Sequence, residues 1–563
     1  MPTENSTEQP RQIVIVGGVA GGASAATRAR RMNERAEIIL LEKDPDVSFA
    51  NCGLPYHIGE EIPDRGDLLV ATPEFLRQRF RLDVRTNHEV IAIDRSLKRV
   101  QVRKTDTERE GETLWIDYDK LILAPGASPI HPNLPGCDAP NVLTLRNLVD
   151  TDRIKAYVDQ ANVQRVIVVG AGYIGLEMVE QLVRREKQTT LVELQPHVLP
   201  LLDAEMTQPI AAELQRQGVD LHLGVGIQGV ETSAGRATGV TLSNGETLAA
   251  DLVVLGIGVR PNVDLAVAAN LPVGATGGIE VNDQMQTHDP DIYAVGDAVE
   301  YVFGPTGQRQ RIALAGPANR AGRLAGQHAA TDQAAAMAPV QGSSVVRVFE
   351  ISAAMTGLTE KLADRLGVAV RSVTIVAKHH AGYFPGAQAM TLKLTYDPES
   401  GRVLGAQAVG GAGVDKRIDV IATAMHFQAS VRQLAELDLC YAPPFGSAKD
   451  PVHMAAFAAC NQLDGVEQFQ RFDSDLSSFQ VVDVRTPGEI SRVPLHDAPH
   501  AIAIPVDQLR DRIGELDADR PTVVSCAVGI RGHLASRILK QHGFQVANLS
   551  GGATLRNRLA NID

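Results

Sequence analysis

The first apolar run of the chain is Ile13-Val14-Ile15-Val16, four β-branched residues followed at once by glycine. A short continuous run of this kind fits a strand buried on both faces of a parallel sheet. Gly17-Gly18-Val19-Ala20-Gly21-Gly22 then turns into an Ala-rich stretch, Ala23 to Asn33, that reads as a helix, and a second strand, Glu37 to Leu41, ends at Glu42. The order returns at Arg165 to Glu193: Val166-Ile167-Val168-Val169, Gly170-Ala171-Gly172-Tyr173-Ile174-Gly175, a helix through about Arg185, then Thr189-Thr190-Leu191-Val192 and Glu193. This pair is the one internal repeat that the pattern shows.

Later periodicities differ. Leu121-Ile122-Leu123-Ala124-Pro125-Gly126-Ala127 and Asp291-Ile292-Tyr293-Ala294-Val295-Gly296-Asp297 each read as a strand running into a tight turn. From about 340 to 460 strands predominate, at Ser344 to Ile351, Val368 to Lys378, Ala389 to Tyr396 and Val403 to Val409, with a helix at Val414 to Gln428. A polar passage, Gln462 to Ser478, reads as a linker. Beyond it lie strands Val481 to Arg485 and Pro521 to Ser525, the latter ending at Cys526 and followed by a helix through about Gln541.

Strand, Gly-rich turn, helix, strand and acid together form the dinucleotide-binding fingerprint. The second copy has the complete GxGxxG; the first has Val19 in place of the middle glycine. One such motif is weak, but two in one chain imply two dinucleotides, each with its pyrophosphate at a helix N-terminus. Glu193 would accept hydrogen bonds from a ribose 2′-OH and repel a 2′-phosphate, which favours NADH over NADPH.

A chain of 563 residues with 44% hydrophobic content is expected to form about three or four domains. Its net charge of −13 argues against nucleic acid or an anionic membrane surface as partner. No run of ~18 apolar residues predicts a membrane span, and Met1 to Pro10 is polar, without an apolar signal core. Five cysteines in so long a chain are no disulfide framework, so a reducing cytoplasm is the consistent compartment. No metal is expected.

Two cysteines nevertheless stand in chemically suggestive places. A lone cysteine is ordinarily a small buried hydrophobe. Cys52, however, lies in Ser48-Phe49-Ala50-Asn51-Cys52-Gly53-Leu54-Pro55-Tyr56, just after the first fingerprint, and the next cysteine is Cys137. With no local partner, it suggests a mixed disulfide, persulfide or sulfenic acid rather than an internal dithiol. Cys526 ends a strand and opens the loop Ala527-Val528-Gly529-Ile530-Arg531 before a helix, where N–H groups and the helix dipole stabilise a thiolate or persulfide anion. Four residues separate Cys526 from Arg531, which closes the loop. That is one fewer than in related phosphatase loops, and the smaller ring fits sulfur.

Residues 11 to 460 resemble the coenzyme A disulfide reductases of the pyridine nucleotide-disulfide oxidoreductase family. The resemblance rests on Ser-Phe-x-Asn-Cys-Gly-Leu-Pro-Tyr at 48–56, Gly-Gly-Val-Ala-Gly-Gly at 17–22 and Tyr-Ala-Pro-Pro-Phe-Gly-Ser-Ala-Lys-Asp-Pro at 441–451. Residues 479 to 563 resemble a rhodanese sulfurtransferase domain. One departure is Pro494-Leu495-His496-Asp497-Ala498-Pro499-His500, which stands where rhodaneses usually have Gly-His-Ile.

The implied fold class is α/β: two Rossmann-like dinucleotide-binding domains, an α+β dimerisation domain and a C-terminal rhodanese-like α/β domain. The implied boundaries are 1–147 with 256–335 for FAD, 148–255 for NAD(H), 340–462 for dimerisation and 475–563 for the rhodanese domain. The resemblance implies that Gly17, Gly22, Glu42, Lys43, Ala124, Gly126, Gly296 and Asp297 bind FAD, with Asp297 on the ribityl chain. Gly170, Gly172, Gly175 and Glu193 are left for NADH. It implies that Cys52 forms a mixed disulfide with coenzyme A, which Ser24, Arg28, Arg31, Ser48, Asn51 and Lys449 help to bind. Ser24, Arg28 and Arg31 recur at i, i+4 and i+7 and so share one helix face.

Tyr441 and Tyr383 are implied to approach that sulfur from the partner of a homodimer, where a phenol can protonate a leaving thiolate. Electrons from NADH would reach sulfur on Cys52 by way of FAD, releasing hydrosulfide or coenzyme A thiol, while Cys526 carries a sulfane sulfur. Small thiols and persulfides are the expected substrates; coenzyme A disulfide, coenzyme A persulfide and polysulfide all stay open. Two alternatives also stay open. An NADH oxidase or peroxidase would use Cys52 as sulfenic acid, but such enzymes place a histidine where this chain has Ala20. An electron-transfer reductase for a small redox protein would not need Cys52.

Overall fold

The computed structural model describes residues 10–106, 111–333 and 335–558. They form two compact units, one comprising residues up to 170 with 177–190 and 227–342, the other 171–176, 191–226 and the rest. No helix among the described residues is long and apolar enough to cross a membrane.

The first unit is built on a parallel five-stranded sheet in the order Ile292–Ala294, Lys120–Leu123, Gln12–Val16, Glu37–Leu41, Asp83–Arg85. Gln12–Val16 lies in the middle, with Val14 opposite both Ile39 and Leu121. Ile13, Val14 and Ile15 are fully buried, as a run of β-branched residues in a central parallel strand requires. The strand at Ile292–Ala294 joins this sheet from far along the chain, so the first fold element is assembled discontinuously. A second parallel set in the same unit orders Val142–Thr144, Leu252–Leu255 and Arg165–Val169.

The first helix starts at Ala20 rather than Ala23 and runs to Met32. The turn proper is therefore only Gly17 to Val19, and Gly21 and Gly22 are helical. Their smallness serves packing: a Cβ on Gly22 would lie 1.8 Å from the Gly17 carbonyl oxygen. The helix Ala315–Thr331 packs on the other side. A Cβ on Gly322 would stand 2.1 Å from the Gly21 carbonyl oxygen, and one on Gly326 2.2 Å from that of Ala25.

The second unit holds an antiparallel sheet ordered Ser344–Val348, Ile351–Gly357, Val403–Gly410, Ala389–Tyr396, Arg371–Lys378. The helices Val414–His426 and Pro451–Leu463 share its core. The single strand expected at Ser344 to Ile351 is two, because the chain reverses at Phe349, which takes a left-handed φ of 54°. The C-terminal sheet is parallel, in the order Phe469–Gln470, Val546–Leu549, Thr522–Ser525, Gln480–Asp483, Ile502–Ala503. Its first strand comes from the polar passage read as a linker; two residues of ladder were too short to register as a period in the sequence.

Buried charge stitches this unit together. The Lys393 ammonium lies 2.8 Å from Asp203, 2.5 Å from Glu205 and 2.9 Å from Glu360. These three carboxylates are grouped as if round a cation, and the lysine fills that place. Glu360 also receives Arg471 at 3.0 Å, and Arg558 donates to the Glu205 carbonyl at 2.9 Å. Three attractive partners outweigh burial and hold the Lys393 ammonium well above its ordinary pKa.

Gly322→Ala is expected to force the two small-residue helices apart and to cost about 1–3 kcal/mol, the usual range for overpacking. A lowered thermal midpoint, against an unchanged one for Gly316→Ala, whose Cβ meets open space, checks this.

Candidate active site

Both dinucleotide turns have the same construction. Gly17 and Gly170 take left-handed φ values of 95° and 103°. A Cβ on Gly17 would lie 2.1 Å from the Ala124 carbonyl oxygen, and one on Gly170 2.4 Å from that of Gly256. Each turn is pinned by the acid ending the next strand. The Glu42 carboxylate accepts from Gly18 N–H at 2.7 Å and Asp44 N–H at 3.1 Å, and that of Glu193 from Ala171 N–H at 2.7 Å and Gln195 N–H at 2.8 Å. Burial raises the Glu42 pKa, and these N–H groups oppose it. Both acids thus fix the shape of the glycine turn.

The helix that follows the first turn has Val19 at its cap, with no side-chain cap bond and no acid in its first turn. Its leading N–H groups are left for an anion, as a pyrophosphate requires. Gly172 faces open space, and Gly175 sits in the first turn of Tyr173–Arg184. Gly296 is held by the Tyr301 hydroxyl, which bridges its N–H and carbonyl at 3.0 Å each. Asp297 pairs with Arg146 at 2.9 Å. Gly126 takes a φ of 65° beside that same arginine. Lys43 is exposed.

Cys52 is exposed, in the short 3₁₀ turn Asn51–Gly53 that leads into the helix Leu54–Ile58. None of the five cysteines is bonded to another. Enough protein surrounds the thiol for desolvation to raise its pKa; Glu177 and Asp297 raise it further and Arg146 lowers it. The Asn51 side-chain oxygen is buried without a partner, which fits an acceptor kept for a bound group. Ser48 takes a left-handed φ of 48°, and its N–H donates to the Gly18 carbonyl at 2.8 Å, tying this stretch to the first turn.

Among the arginines of the first helix, Arg30 is buried and spends its guanidinium on the carbonyls of Phe80, Glu34 and Ala36 at 2.7–2.8 Å. Ser24 and Arg28 instead meet the other small-residue helix, at Asn319 (2.6 Å) and Gln327 (3.2 Å). Arg31 stacks over the Phe80 ring at 4.9 Å. Burial, then Arg323 and Arg31, lowers the Arg28 pKa, so three like charges crowd this face. Lys449 is exposed in the second unit.

Tyr383 and Tyr441 also belong to the second unit, where their hydroxyls meet at 3.0 Å. They are 77% and 47% exposed, with Phe384 and Phe445 beside them in sequence also exposed. Ala381 N–H donates to the Gly446 carbonyl at 2.8 Å, joining the two loops. Both loops are anchored on the buried pair Arg417–Asp450 (2.7 Å). Arg417 also donates to the His379 carbonyl at 2.6 Å, and Asp450 caps the next helix through Val452 N–H at 3.0 Å. The hydrogen bond to Tyr441 raises the Tyr383 pKa.

Cys526 is buried, and its sulfur accepts from Gly529 N–H at 3.1 Å. Gly529 has a φ of 100°. Its carbonyl takes the Asn548 amide at 3.0 Å, and that amide also bonds Glu467 at 2.8 Å. Ala553 N–H holds the Cys526 carbonyl at 2.7 Å. The Arg531 guanidinium engages Glu489 at 2.8 and 2.6 Å. The unusual 494–500 segment is tied down by Asn557, which bonds the His496 N–H at 2.9 Å and the Pro494 carbonyl at 2.8 Å.

Sequence reasoning missed Arg146, Glu177, Arg417 and Glu489. Glu177 left a signal, an acid just past a Gly-rich turn in an apolar helix, and Glu489 another, the Thr-x-x-Glu of a capping box; Arg146 and Arg417 meet their partners through tertiary packing.

Residues 11–322 match the family model of pyridine nucleotide-disulphide oxidoreductases, residues 343–451 its dimerisation domain, and residues 468–555 a rhodanese-like domain. A coenzyme A disulfide reductase of Staphylococcus aureus (strain bovine RF122 / ET3-1) is 37% identical over 448 residues, 80% of this chain and 99% of the relative. Reduced Bacillus anthracis CoADR-RHD superposes with a TM-score of 0.93 at 41% identity, covering 98% of both chains. A NAD-dependent persulfide reductase from A. fulgidus does so with a TM-score of 0.89 at 34% identity, covering 97% of this chain and 99% of the other. The expected fold class and the resemblance to both families are thereby borne out.

Glu177→Gln removes a negative charge that raises the Cys52 pKa. The thiolate fraction at neutral pH is expected to rise, and with it, several-fold, the rate at which iodoacetamide modifies Cys52 in the cofactor-free protein. Mass-spectrometric labelling kinetics across pH check this, the gain disappearing above the thiol pKa.

Proposed function

Because the chain belongs to the pyridine nucleotide-disulphide oxidoreductase family, we propose that it is an FAD-dependent, NADH-driven reductase of coenzyme A disulfide, coenzyme A persulfide or polysulfide. Cys52 is its single redox sulfur, and Cys526 is a coupled sulfurtransferase centre. The observation that carries this reading is the isolation of Cys52: an exposed, unbonded thiol next to the first dinucleotide turn, with no second cysteine in its loop. A solitary sulfur of this kind can hold a mixed disulfide or a persulfide but cannot close an internal disulfide.

FAD would be held by Gly17, Gly22, Glu42, Lys43, Ala124, Gly126, Gly296 and Asp297, and NADH by Gly170, Gly172, Gly175 and Glu193. When bound, FAD supplies a two-electron path from NADH to sulfur. The chain's own groups do the rest. The positive face of Ser24, Arg28 and Arg31, with Lys449, binds the phosphates of coenzyme A, while Ser48 and Asn51 orient its thiol end. In a homodimer, favoured by the dimerisation-domain match and the exposed aromatics at 383–384, 441 and 445, the Tyr383–Tyr441 hydroxyl pair comes from the partner. It donates a proton to the departing thiolate.

Cys52→Ser is expected to abolish NADH-driven reduction of every sulfur acceptor, whereas Cys526→Ser removes only sulfur transfer. Steady-state NADH oxidation with coenzyme A disulfide, coenzyme A persulfide and polysulfide side by side decides among the acceptors. Full activity in Cys52→Ser overturns the reading in favour of an electron-transfer reductase. Equal loss of persulfide reduction in both variants makes the two sulfurs one obligatory relay. Light scattering of an active monomer rules out the shared tyrosines.

A further inference from the structure

Three cations near the Cys526 loop are each paired with a carboxylate. Arg531, the arginine of the loop, is gripped by both oxygens of Glu489 at 2.8 and 2.6 Å. Arg485 is gripped by Asp483 at 2.6 Å, and His533 by Glu467 at 2.7 Å. Further along the same helix, Arg537 donates to the Val466 carbonyl at 2.6 Å and Lys540 to the Gly465 carbonyl, so both are turned toward the preceding segment. The Glu489 carboxylate, with Cys526 and Asp483 behind it, raises the Arg531 pKa against the opposing effect of burial. Among the described residues, Arg531, Arg485 and His533 thus each spend their charge on a carboxylate, and none of the three is left for an incoming anion. The loop offers apolar surface instead: Ile530 and Leu534, one turn apart at the start of the helix Ile530–Gln541, are 60% and 43% exposed. The sulfur itself is buried, so a donor must present its outer sulfur end-on and leave its body outside, against these two side chains.

We propose that Glu489 sets the donor specificity of this centre: by occupying Arg531 it excludes small inorganic dianions such as thiosulfate and selects an organic persulfide, whose uncharged carbon body lies on Ile530 and Leu534. The proposal rests on the reading of Cys526 as a sulfur carrier. In the step, the Cys526 thiolate attacks the outer sulfur of R–S–SH. A new S–S bond forms at Cys526 and the donor's S–S bond breaks, its electron pair leaving on R–S⁻, which takes up the proton. Cys526 is oxidised to the persulfide and the donor reduced to a thiol, so no further oxidant or reductant is needed. Glu489 touches no reacting atom; it acts through Arg531. Its carboxylate is at the same time the N3 member of a capping box with Thr486, a role that glutamine also fills. Glu489→Gln therefore removes the charge and keeps the cap.

The test uses the full chain without NADH, cyanide as acceptor and thiocyanate as readout, with pantetheine persulfide and thiosulfate as donors. The unmodified protein is expected to favour the persulfide in kcat/KM, and Glu489→Gln to raise kcat/KM for thiosulfate about tenfold, a single unit of charge interaction. Persulfide transfer should change by less than about threefold, because glutamine alters neither the cap nor the apolar face. A second measurement needs no variant: salt that shortens the screening length to about 8 Å should raise the unmodified protein's thiosulfate kcat/KM more than its persulfide kcat/KM. Equal use of both donors by the unmodified protein, or an unchanged donor ratio both in Glu489→Gln and across salt, overturns the specificity role while leaving the carrier role intact. Absence of thiocyanate with both donors overturns the carrier role and this proposal with it.

Discussion

Two helices touching backbone to backbone set the terms for the first unit. Ala20–Met32 and Ala315–Thr331 approach at Gly322 and Gly326, where an added Cβ would lie 2.1 Å from the Gly21 carbonyl oxygen and 2.2 Å from that of Ala25. Segments some 300 residues apart must therefore fold as one layer, which makes the first dinucleotide domain discontinuous. The contact also fixes chemistry. It seats Ser24 on Asn319 and Arg28 on Gln327, along the face of the first helix that meets the second. The glycines that look like one loop in the sequence thus have different jobs: Gly17 turns the chain, Gly22 lets the helix start close against that turn, and Gly21 offers the backbone that Gly322 packs on.

Buried charge does comparable work elsewhere. An isolated carboxylate in the interior is expensive, and each one here is repaid by specific donors. Glu42 and Glu193 each take two backbone N–H groups and so hold a glycine turn rigid. Arg417–Asp450 anchors the two loops that carry the hydroxyl pair of Tyr383 and Tyr441. Lys393 gathers three carboxylates from two segments, Asp203 and Glu205 from one and Glu360 from the other. Removing one member of such a set costs about 3–5 kcal/mol, because the other is left charged and unpaired. These pairs specify the geometry of the turns and loops they hold.

The two sulfurs sit in opposite surroundings. Cys52 is open to solvent, with acids that push its thiol up and one arginine that pulls it down. Charge balance about it can therefore change when neighbouring groups bind. Cys526 is enclosed by a loop fastened from both sides, through Asn548 to Gly529 and through Ala553 to its own carbonyl, with an N–H aimed at sulfur. An open site suits exchange with large thiols; an enclosed sulfur with a backbone N–H aimed at it suits storage of one sulfur atom as an anion.

The sequence alone determined the parts whose physics is local. A β-branched run before glycine can hardly be anything but a buried strand, and the acid at a fixed distance beyond it can reach back to the turn; both dinucleotide units were legible for that reason. So were the settings of Cys52, a solitary thiol after one fingerprint, and of Cys526, between strand and helix, since each setting is fixed by a few neighbours. The short edge strand Phe469–Gln470 and the reversal at Phe349 were not legible, because two residues of ladder and one left-handed φ leave no periodicity. The tertiary structure alone decided which charges meet. Arg146 with Asp297, Arg417 with Asp450 and Arg531 with Glu489 join positions 33 to 151 residues apart. An arginine in a sequence looks the same whether it faces a ligand, a carbonyl or an acid, and only packing settles which partner lies within reach.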